Sequence, residues 1–433
     1  MNILLIGNGA REHAIAEAFC RSSHKPKVYS FMKTNNPGIK GLSAGIFIGK
    51  YSDLEGIKKF AKDSRADFAF IGPEDPLNNG VVDALENSGI PCVGPRKNLA
   101  SLETSKSFTR LIMEKYNIPG NPKFKVFKHR EGIKKFLEEL EEVVIKPDGL
   151  TAGKGVKVQG DHFNTKEEAY NYCIEVLKDH PAVIVEEKLD GEEFSLQCLT
   201  DGYTVKATPV VQDHKRAFVG DKGPNTGGMG SYSCADHLLP FLAKEDVEAA
   251  LDITSQVCNA LRKEAGVYSG VMYGGFMVTK EGVKLIEYNA RFGDPETMNV
   301  LPILKTDFVD VCLAIVNRKL NSIKLEFEKK ATVCKYAVPE GYPDNPVNNK
   351  KIDISNVPKN ARLYFASVDK REDGLYMSSS RAIGVVGISS SLDEAERIAE
   401  NAVSAIKGPV YHRKDIGTMQ LIKKRIDHMK RLR

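Results

Sequence analysis

Apolar residues come in short blocks through the first hundred positions. Ile3–Ile6, Lys27–Met32, Phe68–Ile71 and Pro91–Val93 each run out into glycine, proline or a polar residue, and amphipathic stretches at 11–21, 53–64 and 80–88 lie between them. Short apolar strands alternating with helices predict a mostly parallel, doubly wound α/β sheet. Ligands of such sheets bind beyond the carboxyl ends of the strands, where Gly7 and Gly72 fall.

The rhythm changes after residue 103. A helical pattern over Thr104–Tyr116 gives way to apolar strands at Val143–Lys146 and Val183–Glu187, and Thr165 with Glu168 forms a capping-box pair that opens a helix to about Lys178. A hairpin, a long amphipathic helix at 244–265 and a second hairpin, Tyr268–Val278 with Val283–Asn289, complete a region of α+β character. Further on, the proline- and asparagine-rich segment 339–360 reads as loop. Around it lie strands at Thr332–Val338, Arg362–Val368, Gly374–Ser378 and Arg381–Ser389, and a helix opens at Ser391 with Glu394 as capping partner and runs to about Lys407. The expected domains are 1–103, 104–330 and a small α+β unit at 331–433, with no internal repeat.

The length of 433 residues agrees with about three domains, and 42% hydrophobic with 27% charged residues is ordinary globular composition. The net charge is only +5, and the one basic run, Lys423 to Arg433, reads as a solvated helix face rather than a nucleic-acid arm. The eight cysteines include no CxxC pair, so they read as small buried hydrophobes in a reducing cytosol. The N-terminus has no basic leader and reaches Gly7 too early for a signal peptide, and no apolar run approaches a membrane span. A soluble cytoplasmic protein without nucleic-acid or membrane partners is expected.

The first glycine loop, Gly7-Asn8-Gly9-Ala10-Arg11-Glu12, joins a strand to a helix, so its N–H groups and the helix dipole favour an anion, with Arg11 beside them. A dinucleotide fingerprint would need glycine where Glu12 stands and an acidic end to the second strand, where Met32-Lys33-Thr34 lies. Nicotinamide and flavin enzymes are therefore disfavoured. In the turn Gly72-Pro73-Glu74-Asp75, the Glu74 carboxylate would stand over the same sheet edge and could accept from sugar hydroxyls.

In Val143–Val156 a lysine, Lys146, ends an apolar strand, where burial demands a fixed anion. The following loop offers Gly149, Gly153, Lys154 and Gly155, backbone donors and charge suited to closing over a triphosphate, though not in P-loop spacing. Val183-Ile184-Val185-Glu186-Glu187-Lys188-Leu189 then leads a strand into a linker that can meet an adenine edge, with Glu193 near ribose hydroxyls. Gly223-Pro224-Asn225-Thr226-Gly227-Gly228-Met229-Gly230 is too glycine-rich for core and reads as an active-site loop. His214 has no metal-ligand spacing and reads as a polar contact. Glu287, Asn289 and Arg291 alternate along a strand and so share a face, where a carboxylate and an amide oxygen are hard ligands suited to Mg²⁺.

In order, GNGAREHA, GPEDPL, LETSKSF, IKPDGLTAGKGV, VEEKLDGEE, QDHKR, GPNTGGMGSYS, IEYNARFGDPET and YHRKDIG resemble the glycinamide ribonucleotide synthetases (phosphoribosylamine–glycine ligases) of the ATP-grasp superfamily over essentially the whole chain. The resemblance implies a central ATP-grasp fold, with a nucleotide-covering subdomain at about 120–190, and ATP-dependent joining of glycine to 5-phosphoribosylamine through glycyl phosphate. By the same resemblance, Lys106 and Lys146 hold phosphates under residues 149–155, and Glu186, Glu187, Leu189 and Glu193 hold adenosine. Glu287 and Asn289 bind Mg²⁺ or Mn²⁺, and Gly9, Arg11 and Glu74 seat phosphoribosylamine. Asp213, Lys215, Arg291 and Asp294 surround glycine and the reacting amine. Two departures from the family pattern are Pro147 before Asp148-Gly149, and Cys334–Pro343, which lacks the usual small residues. Rival readings are a carboxylase of the biotin or purine type, against which QDHKR and GPNTGGMG speak, and a non-catalytic nucleotide-binding protein, against which Lys146, Glu287 and Asn289 speak. The length leaves no room for a further fused activity, and oligomeric state stays open, with a monomer the default.

Overall fold

Residues 1–149 and 155–433 are described by the structure, a computed structural model. Its first sheet has five parallel strands in the order Gly45–Ile48, Lys27–Met32, Asn2–Ile6, Phe68–Ile71, Cys92–Val93. Ile3, Leu4, Leu5 and Ile6 are all fully buried, as a parallel strand covered by helices on both faces requires. The strand order reverses beside Asn2–Ile6, so the two loops that leave Ile6 and Ile71 open side by side at the switch point, the expected ligand crevice. Two elements were not expected, the helix Pro37–Leu42, capped by Asn36, and the edge strand Gly45–Ile48. Phe47 and Ile48 are both exposed on that strand, so the alternation that marks a half-buried strand is missing.

The predicted helix over Thr104–Tyr116 is two, Ser101–Thr104 and Lys106–Lys115, because Ser105 turns extended and caps the second, accepting from the Phe108 N–H at 3.1 Å. A covering unit follows, with strands in the order Phe124–Phe127, Val183–Glu187, Val143–Pro147, Lys157–Val158 over helices Ile133–Glu138 and Lys166–Asp179. The Thr165–Glu168 capping box is present. The central sheet pairs Val205–Ala207, Gly191–Thr200, Gly270–Thr279 and Gly282–Asn289 antiparallel, and the helix Lys244–Glu264 packs on it.

The expected boundary at 330 falls inside one sheet. Gly230–Ser233 pairs with Ala331–Pro339, which pairs in turn with Ile383–Ser389. The expected strand Arg362–Val368 is divided into Arg362–Phe365, in that sheet, and Val368–Arg371, in a small separate one. Inside the loop-like segment, Lys350–Ile352 forms a short strand. The tail is helical, Met419–Leu432, but only partly solvated: Arg425 and His428 turn inward onto Glu192. Among the described residues no helix is long and apolar enough to cross a membrane.

His13 joins the first and last parts of the chain. Its ring stacks on Phe365, with centroids 5.6 Å apart, and its Nδ1 accepts from the Phe365 N–H at 2.9 Å. Burial holds its pKa down at about 4, from 6.5. Because the folded value is depressed, this contribution is present above pH 6.5 and is lost as pH falls toward 4. Denaturation midpoints measured across that window are expected to drop more steeply for the native protein than for His13→Gln, and equal slopes would refute the assignment.

Candidate active site

A cleft of about 1290 Å³ lies between the covering unit, the central sheet and the switch point of the parallel sheet, and residues near the C-terminus close its far side. At its floor lies a buried ion triad. Glu186 accepts from Arg110 Nε at 2.6 Å and Nη2 at 3.1 Å, and lies 2.7 Å from Lys146 Nζ. Arg110 also donates to the Leu285 and Ile286 carbonyls, so its fork is fully used. Burial opposes ionisation of Glu186, yet Arg110 and Lys146 hold its carboxyl at about 2. The Glu186 side chain, expected beside adenosine, is therefore committed below Lys146. Glu187 likewise turns its carboxylate to the Lys123 N–H at 2.7 Å, and Glu186, Glu187, Leu189 and Glu193 all line that rim of the cleft.

Lys106 begins its helix beside the glycine loop and donates to the Gly149 carbonyl at 3.0 Å. Asp148 sits over the same helix N-terminus, bonded by the Ser107 N–H at 3.1 Å and by the Ser105 and Ser107 hydroxyls. Gly155 accepts from the Tyr172 hydroxyl at 2.7 Å. Gly153 and Lys154 lie outside the described residues.

On the opposite wall Glu287 and Asn289 end a central strand on the cleft face. Lys215 Nζ stands 3.8 Å from Glu287 and 3.7 Å from Glu193. Burial opposes its charge, but Asp213, Glu193 and Glu287 hold Lys215 well above the usual lysine range. In return, Lys215, Lys146 and Lys106 overcome the burial of Glu287 and hold it below the usual carboxylate range. Asp213 is pushed up by burial and by its acidic neighbours. An ionised carboxylate next to an amide oxygen fits a hard divalent cation.

Arg291 lines the same cleft as Glu287 and Asn289, with its Nη2 3.5 Å from Asn289 Oδ1, but it lies past the end of their strand. The strand stops at Asn289, and the guanidinium swings to the N-terminal side, with Nη2 2.9 Å from Glu103 and Nε 3.3 Å from Glu74. Arg291 and Arg11 outweigh burial to hold Glu74 at about 2. Asp294 accepts from the Tyr336 hydroxyl at 2.5 Å and lies 3.3 Å from Arg381, which also donates to the Gly227 carbonyl at 2.6 Å. Glu296, bonded by the Tyr273 hydroxyl at 2.8 Å, is pushed up to about 7 by burial and by Asp213.

At the first glycine loop, the anion at the helix N-terminus is the protein's own. Glu12 Oε2 accepts the Gly9 N–H at 2.6 Å, and its other oxygen takes Arg11 Nε at 2.5 Å. Gly7, at φ +137°, and Gly72 pack so tightly on the Glu12 side chain that a Cβ on either would collide with it. A phosphate at this N-terminus, as the loop alone suggested, would have to displace Glu12. Arg11 is buried and also donates to the Phe292 carbonyl at 3.1 Å, although its edge still lines the cleft. Gly9 is not part of the lining. His214, expected to make a polar contact, is buried with both ring nitrogens unpartnered, and burial with Arg413 nearby holds it at about 3.

Sequence reasoning passed over Arg110, Glu103, Glu296 and Arg381. Arg110 carried a readable signal, a charge three residues before Met113 on the apolar face of an amphipathic helix. Glu103 and Glu296 lay inside recognised motifs without a role. Arg381, in a serine-rich turn, carried none.

A covering sheet facing a central antiparallel sheet, across a cleft with Lys106 and Lys146 on one wall and Glu287 and Asn289 on the other, defines an ATP-grasp ligase. The biotin carboxylase domain of the Hydrogenobacter thermophilus 2-oxoglutarate carboxylase, solved with MgADP and bicarbonate, shares this fold at a TM-score of 0.73 and 16% identity, over 99% of this chain and 93% of that one. The N, ATP-grasp (A) and C domain models of phosphoribosylglycinamide synthetase match residues 1–103, 104–297 and 332–419, and the chain belongs to that family. It is 53% identical to a phosphoribosylamine–glycine ligase of Methanocaldococcus jannaschii over the full length of both. The crystal structure of the Thermotoga maritima phosphoribosylamine–glycine ligase superposes with a TM-score of 0.81 at 27% identity, covering 96% of this chain and all of the other.

Proposed function

We propose that this enzyme joins glycine to 5-phosphoribosylamine at the cost of ATP, giving glycinamide ribonucleotide, ADP and phosphate, and serves purine synthesis in the cytoplasm. The observation that carries the reading is the full-length family match combined with a cleft that sets the Lys106–Lys146 wall against Glu287 and Asn289. A glycine carboxylate oxygen attacks the γ-phosphorus of ATP, the bond to ADP breaks, and glycyl phosphate forms. The phosphoribosylamine nitrogen then attacks the acyl carbon, phosphate leaves, and the nitrogen gives up a proton. Such chemistry needs positioning and charge neutralisation rather than a protein nucleophile.

Lys106, Lys146 and the loop through Gly149 and Gly155 steady the phosphates, with Leu189 and Glu193 at the nucleoside. Glu287 and Asn289 would hold Mg²⁺ or Mn²⁺, which supplies charge neutralisation at the transferring phosphoryl group. Lys215 and Arg291 face the developing anions, and Asp213 and Asp294 orient the amine. Glu74, with the Arg11 edge and Gly9 behind it, forms the side for phosphoribosylamine, whose phosphate must then meet cations other than the N-terminus filled by Glu12. ADP release, measured with ATP, glycine and freshly generated phosphoribosylamine each omitted in turn, is expected to require all three. Equal turnover with bicarbonate in place of glycine would overturn the reading in favour of a carboxylase.

A further inference from the structure

Two stretches of the chain have no part in the chemistry so far, the segment Tyr411-His412-Arg413-Lys414-Asp415 and the helix Met419–Leu432, most of which lies past the end of the C-domain match at 419. Both converge on one hairpin. Strands Arg216–Phe218 and Lys222–Asn225 start directly after Lys215 and return into Thr226–Gly228, so the seat of their turn fixes a cleft lysine and a cleft loop together. Asp221 in that turn accepts from Arg413 Nη1 at 2.8 Å and from Arg425. Arg413, fully buried, also donates to the Arg216 carbonyl at 3.0 Å and pairs through its Nε and Nη2 with both oxygens of Asp415. Asp415 takes the Gly220 N–H at 2.9 Å.

Arg425 continues the chain of charges to the nucleoside rim. Its Nε lies 3.2 Å from Glu192 Oε2, and His428 on the next helical turn holds the other Glu192 oxygen at 2.7 Å. Glu192 and Glu193 are neighbours in one strand and point to opposite faces, Glu192 to the C-terminal helix and Glu193 to Lys215. The Glu192 side chain is only 5% exposed, so removal of Arg425 leaves a buried carboxylate with His428 as its remaining partner and loosens the hold on the strand that presents Glu193.

We propose that Arg425, seated by the Arg413–Asp415 pair, is a positioning residue for nucleotide binding: it ties the Asp221 turn to Glu192 and so fixes Glu193 and Lys215 against each other. This rests on the cleft being the ATP site. The test is calorimetric titration of MgADP into the full-length protein and its variants, beside steady-state kinetics and thermal midpoints. Arg425→Ala is expected to raise the Kd for MgADP and the KM for ATP in parallel, by roughly three- to tenfold, with kcat changed less than about twofold. Arg425→Ala combined with Glu192→Gln should recover only the part of that loss that comes from the stranded Glu192 charge, because Asp221 still lacks Arg425. Arg433→Ala, on the same helix but paired with Asp246 away from the cleft, should leave MgADP affinity unchanged. A folded Arg425→Ala protein with native affinity, or a loss of equal size in the double variant, would overturn the proposal. Should Arg425→Ala not fold, Arg425→Lys, which keeps the charge but cannot bridge two carboxylates with a planar fork, is expected to show a smaller rise in Kd, and no rise would overturn it equally. Titration of MgADP needs neither glycine nor amine. Failure of the native protein to bind it overturns the nucleotide reading itself, whereas native binding unaffected in the variants overturns only the role of Arg425.

Discussion

Glu287→Gln is expected to lower kcat about a hundredfold or more, since a catalytic cation is worth several kcal/mol at a transferring phosphoryl group. The divalent-metal concentration for half-maximal rate should rise with it, while the KM for phosphoribosylamine moves little. The substitution keeps size and one oxygen but removes the charge that Lys215, Lys146 and Lys106 hold in place. It also leaves Lys215 with one acid fewer at 3.8 Å. Metal titrations at saturating ATP decide the matter. A variant with native kcat and native metal dependence would remove Glu287 from the metal site.

The largest loss of stability is expected from Arg110→Ala, about 3–5 kcal/mol, the range for stripping one partner from a buried ion pair. Glu186, whose side chain is 4% exposed, would keep only Lys146, and the Leu285 and Ile286 carbonyls would lose their donor. Urea denaturation reads the difference directly, and a change within about 1 kcal/mol would mean that the pair behaves like a solvated surface contact. The acid limb offers a second reading. The depressed Glu186 carboxyl contributes stability that is complete above pH 4.5 and is lost as pH falls toward 2. The Arg110→Ala protein should lack part of that contribution and show a shallower acid limb.

Much of the architecture was legible because burial writes itself into local pattern. The strands Asn2–Ile6 and Phe68–Ile71 are continuous apolar runs since helices cover both faces, and the capping residues Thr165 and Ser391 mark helix starts where they were expected. The edge strand at Gly45–Ile48 was not legible, having no buried face to impose a period. At the cleft, the motifs placed Lys106, Lys146, Lys215, Glu287 and Asn289 on its walls, because chain-local spacing sets strand faces and loop ends. Spacing could not say which charges neutralise each other. That Glu186 belongs to Arg110, that Arg291 reaches back to Glu103, and that Glu12 fills its own helix N-terminus are contacts between distant segments or choices of rotamer, invisible to periodicity.

The sheet that runs through the boundary at 330 also sets an order of events during synthesis. Gly230–Ser233 leaves the ribosome well before its neighbour Ala331–Pro339, and that strand in turn before Ile383–Ser389. Until the later strands arrive, the residue run that follows the Gly227–Gly228 turn has an unpaired edge, a template for pairing with another chain. Pairings of such long sequence separation close slowly. The cleft is therefore completed late, when Arg381 and Arg425 have been made and folded against Gly227 and Glu192. A nascent or truncated chain would carry the cleft lysines Lys106, Lys146 and Lys215 without the walls that align them.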